Sequence, residues 1–281
     1  MSAHAVSMRD ALYEAPGPKT RRRTVIGTVV SIVALVALLI LVVRQFYVTG
    51  QLDARYWSFL AEWTTWRFLL EGFWGTIKVA LIAGVIAIAL GLLLMLGRIS
   101  SNKVLSFACH AITDVFRSLP SLLLIYFFFL VVPTYGIRMP AFWMLTIPVA
   151  LAASGVLAEV FRAGVNAVPK GQVEAAMSIG LTHGKIVRII VLPQALRIVI
   201  PSLVSQLVVV VKDTTVAYVV SYPDLMQNAR VLISNYDALV SMYLVVAVIY
   251  ILVNYAVNQL SIALARRNDA PLITRSTENP T

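Results

Sequence analysis

The sequence predicts an all-α integral membrane protein that crosses the bilayer six times and keeps both termini in the cytoplasm. Three observations lead there. The 281 residues are 59% hydrophobic and only 13% charged, with a mean hydropathy of +0.84, so charged groups are too few to cover a soluble globule. Uncharged apolar runs recur at the ~20-residue length that spans a hydrocarbon core. The net charge of +10 gathers in alternate connecting segments, which in a membrane protein is a topology signal before it is a nucleic-acid footprint. The single cysteine, Cys109, excludes an intrachain disulfide, and His4, His110 and His183 are too scattered to make a metal-ligand set.

Residues 1–24 are polar, carry Arg9, Lys19 and Arg21 to Arg23 around a Pro16-Gly17-Pro18 breaker, and read as a cytoplasmic tail. The uncharged run that follows gives a first span over 25–47; it exceeds the ~7–15 residues of a signal-peptide core and no small-residue cleavage pattern follows it. Residues 48–71 mix Asp53, Arg55, Glu62, Arg67 and Glu71 with Trp57, Trp63 and Trp66, the blend of an interfacial, extracytoplasmic segment. A second span covers about 72–96, where Ala83, Ala87 and Gly91 recur at the spacing that lets helices pack closely. Further spans are expected over about 115–132, 141–161, 198–220 and 238–264, and residues 265–281 form a second cytoplasmic tail. Pro120, Pro148 and Pro201 read as kinks within them. This layout places fifteen of the 23 Lys and Arg residues in cytoplasmic segments and five outside, the bias that fixes orientation.

One connection is unusually long for so compact a protein, residues 162–197, and long loops are more often functional than idle. Pro169 suits a first helical turn, the run from Lys170 to Ile179 fits a short helix, and Gly180 suits its left-handed end. Thr182 is placed to cap a second short helix that Pro193 is expected to stop. The two helices would form a knuckle on the cytoplasmic side.

Within that knuckle, Lys170-Gly171-Gln172, Glu174-Ala175-Ala176, Gly180 and Ile190-Val191-Leu192-Pro193-Gln194-Ala195 resemble the EAA loop of permease subunits of ATP-binding-cassette importers. The resemblance extends through Phe116-Arg117-Ser118-Leu119-Pro120, Ala158-Glu159-Val160-Phe161-Arg162 and Lys212-Asp213-Thr214-Thr215, and covers roughly residues 70–264. These motifs look like the polar amino-acid uptake branch of the family, and most like permeases of glutamate importers. The resemblance implies a five-helix permease core over 72–264, preceded by one extra N-terminal span. It implies two ATPase subunits, a second permease, identical or homologous, and an extracytoplasmic solute-binding protein as partners of a chain set in the lipid bilayer; nucleic acid is not among them. In that family the loop couples the permease to the ATPase, which assigns Glu174 as polar anchor, Gly180 as the turn, Ala175 and Ala176 as points of close approach, and Pro193 to the motif.

The chain does not supply its own energy. A phosphate-cradling loop ends in Gly-Lys-Ser/Thr, and Gly184-Lys185-Ile186 lacks the hydroxyl that holds magnesium. No cofactor is expected on this chain, and ATP and magnesium belong to the partner ATPase; no catalytic or metal site is assigned. The ionisable groups in or at the ends of spans mark the candidate route, because such groups are costly in lipid unless paired or hydrated. For an amino-acid zwitterion, Lys212 or Arg117 suits the carboxylate and Asp213 or Glu159 the ammonium, with Thr214 and Thr215 as neutral hydrogen-bonding groups. An ion-gradient-driven carrier and a non-transporting scaffold are the competing readings, although no internal repeat of the kind common in carriers is visible.

Overall fold

The computed structural model describes residues 17–268, and among them there is no strand. The chain divides into two units, residues 1–57 and 58–281. In the first, α1 (Pro18–Val48) is one helix of 31 residues. It starts earlier than the span expected over 25–47 because Pro18 occupies its first turn, where a missing amide costs nothing and a fixed φ is already helical. The tail expected over 1–24 is therefore helical from Pro18; residues 1–16 lie outside the described residues, as do 269–281 of the second tail. No side chain of α1 is buried, and its apolar residues point in every direction, the pattern of a helix surrounded by lipid.

The second unit holds α2 (Trp63–Arg98), α3 (Lys103–Ser118), α4 (Ser121–Tyr126), α5 (Ala141–Asn166), α6 (Lys170–Ser178), α7 (His183–Ile186), α8 (Leu192–Asp213), α9 (Leu225–Tyr236) and α10 (Leu239–Asn268). The segment expected as interfacial over 48–71 is not one helix. It is a turn at Gly50, two short 3-10 turns at Ala54–Tyr56 and Ser58–Ala61, and then the first turns of α2. Among the described residues five helices are long and apolar enough to span: α1, α2, α5, the run His183–Val220 and α10 to Leu264; a bent pair, α3 with Ser121–Tyr135, makes a sixth if counted as one span.

That bent pair replaces the straight span expected over 115–132. The chain turns by 97° between α3 and α4. Pro120 drives Leu119 out of the helical region, to φ −83° and ψ 127°, so the kink expected there is a break. Asn102 starts α3 by accepting from the amides of Val104 and Leu105 at 3.0 and 3.2 Å. Beyond α4 the backbone widens into a π turn over Phe127–Val131 and closes through a 3-10 turn at Gly136, φ +79°.

The core lies between α2 and α5, with α8 and α10 closing it. Ala83 and Ala87 are fully buried there. A Cβ on Gly91 would stand 3.0 Å from the Ser154 carbonyl oxygen and 3.1 Å from the Ala158 amide nitrogen, so the small-residue stripe brings two backbones together. Packing of this kind leaves a rigid wall, against which the more irregular elements are seated.

One of those is α9, in a segment with no predicted element. Asp224 caps it, accepting from the Gln227 amide at 2.7 Å, and the helix lies against α2. Asn228 donates to the Phe68 carbonyl at 2.7 Å, and the Leu225 amide donates to Thr76 Oγ1 at 3.1 Å. Asp224 is fully buried and its second oxygen has no hydrogen-bond partner among the described residues. Burial pushes its carboxyl up to about 6, against the pull of the α9 amides.

A carboxyl whose folded value is raised stabilises the fold when protonated, and that contribution is lost as pH rises from about 4 through about 6. At neutral pH the strain amounts to about 3 kcal/mol. Asp224→Asn keeps a capping side chain and cannot ionise. Thermal unfolding of the purified protein between pH 4 and 8 should therefore show wild type losing stability as pH rises, with the variant flatter and more stable at pH 7.5. Parallel pH profiles would remove this account of Asp224.

Candidate functional site

The knuckle is built locally. Helix α6 ends on Gly180 at φ +80°, whose amide donates to the Met177 carbonyl at 2.9 Å while the Leu181 amide donates to the Ala176 carbonyl at 3.1 Å. This paired closure is a Schellman turn, and it requires the left-handed residue that Gly180 supplies. Ala176 faces inward with Val168, Ile186, Val191 and Ala195 in a small core of its own. Gln194 Nε2 ties α8 back to α6, donating to Gln172 Oε1 at 2.6 Å and to the Ile190 carbonyl at 2.8 Å. Ala175 and Glu174 are exposed, and no ion pair or side-chain hydrogen bond engages the Glu174 carboxylate among the described residues. Met177 on the same helix and Ile179 at its C-cap are 55% and 77% exposed. An unpaired carboxylate flanked by bare apolar side chains is a contact surface rather than a packed one.

The second helix of the knuckle does not stop at Pro193. It runs from His183 through a π turn over Val187–Val191 into α8, with Pro193 in the first turn of that helix. The wide turn separates the proline ring from the carbonyl it would strike in a regular helix. Thr182 caps with its backbone only. His183 Nε2 donates to the Ile99 carbonyl at 3.4 Å, across a cleft of about 460 Å³ between the α2–α3 loop and the start of this rod.

The pathway candidates fall into two groups. Glu159 and Arg117 come together, with Arg117 Nη1 3.7 Å from Glu159 Oε1. Two further guanidiniums converge on the same carboxylate: Arg98 Nη1 donates to Oε1 at 2.7 Å and Arg162 Nε to Oε2 at 2.8 Å. Arg98 also donates from Nη2 to His110 Nδ1 at 2.7 Å, and since arginine has no acceptor this nitrogen must be unprotonated. The proton then sits on His110 Nε2, 3.5 Å from Asp114 Oδ2, and Asp114 lies 3.7 Å from Arg117. One carboxylate thus knits α2, α3 and α5. Arg98 and His110 have no role in the sequence reading, since nothing local shows that three helix ends meet.

Lys212, Asp213, Thr214 and Thr215 lie elsewhere. A Cβ on Gly84 would be 2.7 Å from Leu207 Cδ2, and Tyr222 Oη reaches the Gly75 carbonyl at 3.5 Å, so α2 and the α8 rod run antiparallel in known register. At 1.5 Å per residue, Lys212 is roughly 30 Å along the bundle from the Arg98 level. Thr214 and Thr215 donate to the Val211 and Lys212 carbonyls at 2.8 and 2.7 Å, which leaves only their acceptor lone pairs. Lys78, within the apolar α2, belongs to this layer; its Nζ stands 5.2 Å from the Phe142 ring centroid. Its charge inside an uncharged run was the sequence signal for it.

A polytopic helical bundle with an exposed knuckle at one end and an ionisable layer at the other is the membrane part of a transport system. The chain belongs to the binding-protein-dependent transport system inner membrane components, whose family model matches residues 87–269. It is 34% identical over 226 residues to the glutamate transport system permease protein GluD of Corynebacterium glutamicum, covering 78% of this chain and 81% of that one. A probable glutamine ABC transporter permease protein, GlnP of Bacillus subtilis, is 34% identical over 68% of this chain and 89% of its own. Among solved structures, an amino acid ABC transporter aligns at a TM-score of 0.70 and 28% identity, over 74% of this chain and 98% of that chain. An inward-facing MetNI methionine ABC transporter aligns at 0.62 and 21% identity, over 74% and 99%, a likeness of fold alone.

Proposed function

We propose that this chain is the translocating permease of an ATP-driven importer for a polar amino acid, and that glutamate is its substrate. It is a multi-pass inner-membrane component and not an enzyme. The single observation that carries the coupling role is the α6 knuckle, where Glu174, Met177 and Ile179 are presented outward on a turn locked by Gly180. ATPase subunits dock there, two per transporter; they bind the ATP and magnesium, and this chain holds no cofactor. A solute-binding protein delivers substrate at the opposite face, and a second permease, identical or homologous, completes the pore. Both termini lie on the ATPase side. Because the knuckle is continuous with the helix run His183–Val220, a rigid displacement of α6 is handed to the layer holding Lys212 and Asp213. Alternation between faces then follows the nucleotide state of the ATPases.

Reconstitution with the ATPase and binding protein tests this. Uptake of L-glutamate that requires ATP is the expected result; uptake driven by an ion gradient alone, or none, would defeat the proposal. Glu174→Lys should weaken ATPase docking roughly tenfold or more in a pull-down, as loss of a charged anchor does, while membrane insertion is unchanged. Docking at wild-type strength would take the anchor role from Glu174.

A further inference from the structure

We infer that Lys78 is a substrate-recognition residue that, with Lys212, gives the permease its preference for an acidic amino acid. The inference rests on the import function proposed above. Lys78 and Lys212 both sit in spanning helices, and among the described residues no carboxylate pairs with either ammonium. An unpaired cation at that position is costly unless it faces water or meets an anionic ligand. Counting outward from the Gly84–Leu207 contact, Lys78 is six residues along α2 and Lys212 five along α8, so the two lie at the same depth to within about 2 Å.

Snorkelling to lipid headgroups would turn the lysine away from the bundle. Instead the Lys78 ammonium is held 5.2 Å from the Phe142 ring at the start of α5, and Phe142 packs on the buried Tyr222 at 5.8 Å. The carboxylates at neighbouring levels of α2 and α9 do not face this layer: Glu71 pairs with Arg67 at 3.1 Å, and Asp224 is fully buried, with one oxygen capping α9 and the other without a partner among the described residues. The accessible part of the layer therefore offers two exposed cations, Lys78 and Lys212, and one half-buried anion, Asp213. Glutamate or aspartate carries the complement, two carboxylates and one ammonium. A neutral amino acid such as glutamine would leave one lysine uncompensated, so the second cation discriminates by charge.

Equilibrium binding of radiolabelled L-glutamate to the purified permease–ATPase complex in nanodiscs, competed by L-glutamine, reads this directly. Lys78→Met keeps the aliphatic stem against Phe142 and removes the charge. It should lower glutamate affinity roughly tenfold or more, as loss of a charge-assisted hydrogen bond does, and change glutamine affinity less than about twofold; Lys78→Arg should retain the preference. Glutamate affinity within twofold of wild type in Lys78→Met overturns the inference, and so does loss of assembly in both variants, which would make the lysine structural. If wild-type complex binds neither amino acid, the inference also fails; ATP-driven uptake by the same complex then decides whether the import function fails with it.

Discussion

Glu159→Gln is expected to be the most damaging conservative substitution in the chain. Three guanidiniums, Arg98, Arg117 and Arg162, approach this one carboxylate at 2.7, 3.7 and 2.8 Å. Arg98 has only 8% of its side chain exposed and Glu159 only 19%, so water replaces little of what is lost. Removing the anion leaves like charges facing one another where α2, α3 and α5 meet. Breaking a buried pair from one side costs about 3–5 kcal/mol. The variant should unfold at markedly lower denaturant and lose transport at temperatures where wild type is stable. Arg98→Met alone should cost less, because Arg162 and Arg117 still serve Glu159. Combined with Glu159→Gln it should recover part of the loss, since it removes the most buried of the stranded charges. Strictly additive losses in that double-mutant cycle would mean that the two side chains are not coupled.

Gly75→Ala is the second. A Cβ at this position would collide with the Pro223 carbonyl oxygen and lie 3.3 Å from its carbon, backbone that cannot rotate aside. The added methyl must push the Ser221–Asp224 turn off α2, and with it the Asp224 cap and the Thr76 bond that seat α9. Overpacking of this kind costs about 1–3 kcal/mol or more, and the displaced segment should become the first site of protease cleavage. Gly171→Ala is the matched control: it is helical, exposed and has nothing within 4 Å of its Cβ, so it should leave stability equal or raise it by about 1 kcal/mol. Equal protease resistance in Gly75→Ala and wild type would show that the turn is not clamped there.

The class of fold was legible because it depends on quantities that a chain cannot hide, namely span-length apolar runs and the placement of charge. The α6 half of the knuckle was legible for another reason: Pro169 and Gly180 act within a few residues of themselves. Pro193 misled because a proline usually ends a helix, whereas here a π turn absorbs it. The break at Pro120 was visible only as a kink, since the apolar run through 115–132 reads the same bent or straight. Helix α9 is short and half polar, and takes its place from contacts with α2 that lie about 150 residues away in sequence. The meeting of Arg98, His110, Arg117, Glu159 and Arg162 is likewise a product of packing: each charge was visible, but their shared carboxylate was not.

The run from His183 to Val220 is 38 residues of nearly unbroken helix, a lever about 57 Å long at 1.5 Å per residue. Levers convert angle to distance: a tilt of about 10° pivoted at one end of a helix this long carries its far end through about 10 Å. Its shaft departs from regular α-helix in three places: the π turn at 187–191 beside the knuckle, Pro201 midway, and the 3-10 stretch Thr214–Val220 just past Lys212. A small rotation of the knuckle is thereby geared up into a larger displacement at the level of Lys212, and the π turn at 187–191 is the first point along the shaft that can yield.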